Sequence, residues 1–137
     1  GEARADHRES MYATVAGSLF FMAPEVPGGK YGNRIDIWSL GVTFVCMLAP
    51  DLLRASGPVG SDSRELDRLL GRLGDHCSPA AAAVAARMLR TDPGRRPSAF
   101  DLLQSGVFQL LKNESVNRLL NLLHILYIRD SLLVRSL

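Results

Sequence analysis

Glu25, Asp36 and Arg96 are charged residues that each sit in a different one of three short, dense motifs. The three runs are Ala23-Pro24-Glu25, Asp36-Ile37-Trp38-Ser39-Leu40-Gly41 and Asp92-Pro93-Gly94-Arg95-Arg96-Pro97. Taken singly, each has a plain reading. Glu25 and Arg96 could be surface charges, Asp36 an acid at a helix start favoured by the macrodipole, and Trp38 a core residue. Metal chemistry is poorly served. Cys46 and Cys77 stand alone, with no CxxC pair and no histidine pair at zinc spacing, so no metal site is expected and both read as reduced thiols. His76 and His124 are isolated and receive no role.

The order of the motifs carries more than any one of them. Gly17-Ser18-Leu19-Phe20-Phe21-Met22-Ala23-Pro24-Glu25 is followed by Tyr31-Gly32-Asn33-Arg34-Ile35-Asp36-Ile37-Trp38-Ser39-Leu40-Gly41, and the Asp-Pro-x-x-Arg-Pro run closes the series. This succession resembles the C-terminal lobe of eukaryotic serine/threonine protein kinases, from the end of the activation segment with its Ala-Pro-Glu motif to the last element of the lobe. The resemblance covers residues 1 to 111. One departure is the stretch Ala49-Pro50-Asp51-Leu52-Leu53-Arg54, which lacks the usual Gly-x-x-Pro-Phe pattern.

The resemblance implies a set of roles. Glu25 pairs with Arg96, holding the activation segment onto the lobe; a partly buried carboxylate needs a partner, and the planar guanidinium fork can give it two hydrogen bonds. Asp36 accepts backbone hydrogen bonds from the catalytic loop and organises it, and Trp38 belongs to the core. Ser18 matches the residue that places the substrate hydroxyl. Thr14, four residues earlier, is the expected regulatory phosphosite, with Tyr12 and Ser10 as weaker ones that read equally as solvated loop hydroxyls. The absence of Pro and Trp from Leu19-Phe20-Phe21-Met22 favours serine/threonine over tyrosine specificity.

Phosphoryl transfer in the resembled family needs a Gly-rich loop, a strand Lys, a catalytic Asp and metal-binding Asn and Asp residues, and none is identifiable here. His7-Arg8-Glu9 imitates the catalytic His-Arg-Asp, but position 14 is Thr where Asn should fall; Ile128-Arg129-Asp130 is a second imitation with Arg135 in that place. Both are rejected. Catalytic, cofactor-binding and metal residues are therefore expected upstream of this chain, where ATP and Mg²⁺ would bind. The implied function is transfer of the ATP γ-phosphoryl group to protein Ser/Thr hydroxyls, by a protein of which these residues form a part not competent alone. The alternative is a pseudokinase or truncated lobe acting as a protein-binding scaffold. Implied partners are a protein substrate, an activating kinase and a helix partner for the tail.

These residues need elements to hold them. Ile35 to Leu48 is helical in length and apolar nearly all round, which predicts a buried helix at the centre of the core. Pro50 is expected to stop it, with a loop through Gly57, Pro58 and Gly60. Asp62, followed three residues later by Glu65, predicts a capped helix whose Leu66, Leu69, Leu70 and Leu73 form one buried stripe. Ser78-Pro79 caps an alanine-rich helix expected to run to Arg90, one with few protruding side chains so that neighbours approach closely. Ser98 caps a short helix through Leu103 ended by Gly106, and Ser115 is expected to cap a last helix so rich in leucine that it must bury against something. Residues 1 to 16 read as a loop.

The fold expected is mainly α, one lobe of a two-lobed α+β domain. It divides into an activation segment (1–25), a helical subdomain (26–111) and a leucine-rich helical tail (112–137). The net charge of +2 comes from scattered residues, 14 Arg and 2 Lys against 14 acids, which gives nucleic-acid binding little support. No basic start leads into an apolar stretch, so no secretory signal is expected in these residues. Leu119 to Ile128 falls well short of the ~20 apolar residues that span a bilayer. An intracellular, cytoplasmic protein is expected.

Overall fold

A computed structural model describes residues 19–29, 31–60, 62–106 and 114–135, the side chains of the last stretch over 121–132. Its described elements are helical: α1 (Arg34–Leu48), α2 (Pro50–Ser56), α3 (Ser63–Leu73), α4 (Pro79–Met88), α5 (Ala99–Gln104) and α6 (Glu114–Arg135), with 3-10 turns at Val26–Gly28 and Pro93–Arg95. This is the mainly α architecture expected of a kinase C-terminal lobe.

Helix α1 is the axis of the core. Ile37, Trp38, Leu40, Gly41, Val42, Phe44 and Val45 are all buried, which an apolar surface on every side requires. Its closest neighbour is α4. A Cβ built on Gly41 would lie 2.9 Å from Met88 Cβ and 3.0 Å from Leu89 Cδ2, so the glycine permits the approach. The alanines supply the other half of that fit: Ala81 and Ala85 are buried and leave no bulk between the helices.

Pro50 ends α1 as expected and at once begins α2, a short helix that the sequence reading did not mark, before the expected loop at Gly57, Pro58 and Gly60. Proline is tolerated at the first helical position because its missing N–H would be unpaired there. The chain turns at extended Ala49, whose N–H still bonds to the Val45 carbonyl at 2.8 Å, and the turn lets Leu52 and Leu53 bury. The cap of α3 is also simpler than Asp62 and Glu65 implied. Asp62 accepts from the Arg64 N–H at 2.8 Å, while Glu65 pairs with Arg68 instead of reaching back. A full capping box forms at α5, where Ser98 Oγ accepts from the Asp101 N–H at 3.0 Å and Asp101 accepts from the Ser98 N–H at 2.9 Å.

Helix α4 stops at Met88, short of Arg90. Leu89 leaves helical geometry to bury itself, and the Arg90 carbonyl is turned toward the side chain of Arg96. Helix α6 lies against α1 and α5. Leu123 is fully buried and the Tyr127 ring meets that of Phe100 at 5.7 Å between centroids, yet Leu122, Ile125, Ile128 and Leu132 are exposed. Among the described side chains of α6, over 121–132, leucine density thus secures burial for one stripe, the one that faces the lobe.

Candidate functional site

Arg96 stands at the junction of the three motifs. Its side chain is fully buried, at the end of the turn that Asp92 opens by accepting from the Gly94 N–H at 2.8 Å. A buried guanidinium needs acceptors for five N–H groups, and all five are met. Nη1 donates to Glu25 Oε1 at 2.6 Å and to the Arg34 carbonyl at 2.8 Å. Nη2 donates to Glu25 Oε2 at 3.1 Å and to the Arg90 carbonyl at 2.8 Å, and Nε reaches that same carbonyl at 3.1 Å. The Trp38 ring lies beneath, 5.1 Å from the guanidinium carbon. Arg34 returns the contact, donating from Nη1 to the Arg96 carbonyl at 2.8 Å.

This arrangement ties the segment before α1 to the far end of the lobe. Burial pushes the Glu25 carboxyl up, but the hydrogen bonds from Arg96, the backbone N–H and the Arg96 charge outweigh it, leaving the group below its ordinary value. Glu25 is therefore ionised and bound in two-pronged fashion at neutral pH. The preceding residues are pinned as well. Ser39 Oγ, one turn after Asp36 on α1, donates to the Phe21 carbonyl at 2.9 Å, and Ala23 is buried. Gly60 closes over them: a Cβ there would sit 2.7 Å from the Met22 carbonyl oxygen. Leu19, Met22, Ala23, Pro24, Pro27, Pro58 and Gly60 line a shallow apolar cleft of about 220 Å³ beside the clamped segment.

The model of the protein kinase domain family matches residues 1–108. The chain belongs to the protein kinase family. Among its curated relatives are the calcium-dependent protein kinase 9 of Arabidopsis thaliana, 32% identical over 69% of this chain and 18% of the relative, and the serine/threonine-protein kinase PLK1 of Xenopus laevis, 31% identical over 69% and 16%. The ovarian-specific serine/threonine-protein kinase Lok of Drosophila melanogaster is 35% identical over 72% of this chain and 22% of its own length. The chain spans less than a quarter of the length of each of these relatives. No solved structure matches it.

Within this kinase lobe the other motif residues take different places. Trp38 is fully buried, and its indole N–H has no acceptor among the described residues. Asp36, in the first turn of α1, is half-buried and forms an ion pair with Arg129 of α6, which also bonds to Asp130. Those two charges, with the Asp36 hydrogen bond foremost, raise the Arg129 pKa above its ordinary value. Ser10, Tyr12, Thr14 and Ser18 lie outside the described residues. No cluster of three His, Cys, Asp or Glu able to hold a metal ion occurs among the described residues. No described helix is long and apolar enough to cross a membrane.

Three residues of this framework escaped the sequence reading. Arg34 is flanked by Asn33 and Ile35 with no pattern to mark it, and its bond to Arg96 depends on a fold that joins positions 62 residues apart. Ser39 carried a signal inside Asp-x-Trp-Ser-x-Gly, as a hydroxyl on an otherwise apolar helix. Arg129 was seen only as part of a false catalytic triplet. Its meeting with Asp36 depends on where α6 docks.

Proposed function

We propose that this lobe belongs to an enzyme that transfers the γ-phosphoryl group of ATP to serine or threonine hydroxyls of a protein substrate. The observation that carries the reading is the Glu25–Arg96 clamp, which fixes residues 19–25 against the lobe. The kinase family uses ATP and Mg²⁺, and in this proposal both are held by parts of the domain that these residues do not supply. The lobe contributes binding and positioning. Ser18 stands one residue before the apolar cleft at Leu19 and would orient the substrate hydroxyl, while the cleft would take an apolar substrate side chain. Phosphorylation of Thr14, Tyr12 or Ser10 by an activating kinase would add charge to the segment that the clamp anchors. Cytoplasmic location is part of the same reading.

A second reading is a scaffold without catalysis. The apolar residues that α6 leaves exposed favour it, since a partner helix could cover them. The longest chain encoded by the gene, assayed for phosphate transfer from labelled ATP to protein substrates, separates the two. Transfer that falls at least roughly a hundredfold on Ser18→Ala is expected. A chain that binds partners but transfers nothing, with no Asp in its catalytic loop, would replace the enzyme reading with the scaffold.

A further inference from the structure

A second concavity of about 480 Å³ borders the clamp at Arg96. Arg34, Arg87, Arg90, Arg95 and Arg96 line it with Gly94, Pro97 and Asp101. Arg34, Arg87, Arg90 and Arg95 come to it from the start of α1, the last turn of α4 with the residues just after it, and the Pro93–Arg95 turn, while the guanidinium of Arg96 is spent inside the hub. The hub described above holds these elements together through the Arg34 and Arg90 carbonyls, so the convergence is built into the fold.

The charges are unevenly answered. Glu25 neutralises Arg96 from the far side. Asp101 is the one acid in the lining, 3.9 Å from Arg34 and already committed to the Ser98 cap. Arg95 is 3.9 Å from Asp92, with its side chain largely exposed. The Arg90 guanidinium makes no ion pair or hydrogen bond with a described residue. Like charges around one hollow repel, and an anion bridging them relieves that cost. A carboxylate satisfies one fork, whereas a phosphomonoester carries close to two charges and three acceptor oxygens, enough for several forks together.

We propose that this concavity is a phosphomonoester site that receives a phosphoserine or phosphothreonine side chain of a partner protein. The volume exceeds that of a phosphate group and leaves room for the peptide carrying it. Arg90 and Arg95, at the open rim, meet the phosphate first, with Arg34 and Arg87 behind. The protein origin of the phosphate rests on the proposed function, since a kinase works among phosphorylated proteins; the affinity for the phosphate group rests on the arginines alone. A protein already phosphorylated would thereby be retained on the lobe.

The test is a titration of the longest chain encoded by the gene, as used in the transfer assay, with a labelled phosphoserine peptide of otherwise neutral residues. Its serine and glutamate counterparts, inorganic phosphate, and vesicles with and without phosphatidylinositol bisphosphate complete the set. The phosphopeptide should bind at least roughly tenfold tighter than the serine peptide and shift the amide NMR signal of Gly94. Arg90→Ala and Arg95→Ala should each weaken it roughly tenfold, with Arg95→Lys in between. Both side chains are exposed and outside the hub, so unchanged circular dichroism of the variants is expected. Equal binding of the phosphorylated and plain peptides, or variants that bind as the parent does, would overturn the proposal. Inorganic phosphate binding as tightly as the phosphopeptide, or lipid vesicles binding in its place, would overturn the peptide assignment. If the longer chain transfers phosphate and still ignores the phosphopeptide, this site fails while the kinase reading stands.

Discussion

Replacing Arg96 by lysine keeps the charge and removes the fork. Lysine has three donors where arginine has five, and the native side chain serves both oxygens of Glu25 and the carbonyls of Arg90 and Arg34. At least one of these four acceptors must go without a protein partner, and a single compact ammonium cannot match the geometry of the rest. Each buried acceptor left unmet costs about 1–3 kcal/mol, and loss of the planar stack on Trp38 adds to it. Arg96→Lys should therefore cost about 2–4 kcal/mol, and Arg96→Met, which strands Glu25 altogether, about 3–5 kcal/mol. A domain of this size has only about 5–15 kcal/mol in all. At roughly 3–5 °C per kcal/mol, the lysine variant should melt roughly 6–20 °C lower. Urea denaturation followed through Trp38, the single tryptophan, reads the change directly. Pairing Glu25→Leu with Arg96→Met should recover part of the loss, because no charge is then buried alone. A lysine variant within about 0.5 kcal/mol of the parent would show that the clamp behaves as a solvated surface pair, and the argument from burial would fail.

Other outcomes follow from the same packing and charges. Gly41→Ala puts a methyl against Met88 and Leu89 and should destabilise by about 1–3 kcal/mol in the same urea titration, whereas Gly71→Ala, with open space at its Cβ, should not. Because the folded state holds Glu25 below its ordinary value of 4.5, its contribution is complete at neutral pH. It should drain away as the pH falls below about 5 and through the folded-state pKa, and Glu25→Gln should flatten that part of the stability profile. Asp101, lowered by the Ser98 backbone and hydroxyl, adds acid sensitivity of the same sign. Arg129→Ala removes a half-exposed ion pair and should cost no more than about 1 kcal/mol globally, but it should speed protease cleavage within α6; cleavage at the parental rate would mean that apolar contacts such as those of Leu123 and Tyr127 seat the helix without the ion pair.

The sequence by itself determined the helices and the family. Local chemistry suffices for these: the all-round apolar run of α1, the Ser78-Pro79 and Ser98 caps, and three short motifs in a diagnostic order are written in neighbouring residues. Where a helix boundary depended on distant atoms, the pattern misled. Pro50 stops α1 as its position suggests, but that it also opens α2 depends on Leu52 and Leu53 finding a core to enter; α4 looked longer than it is, because nothing near Arg90 shows that its carbonyl is needed by Arg96. The tertiary structure alone decided the full hub around Arg96, the contact of Arg129 with Asp36 and the meeting of five arginines in one hollow. The physical reason is shared. Charged groups choose partners by distance in space, and positions 34, 90 and 96 become neighbours only after the apolar stripes have packed the helices around α1.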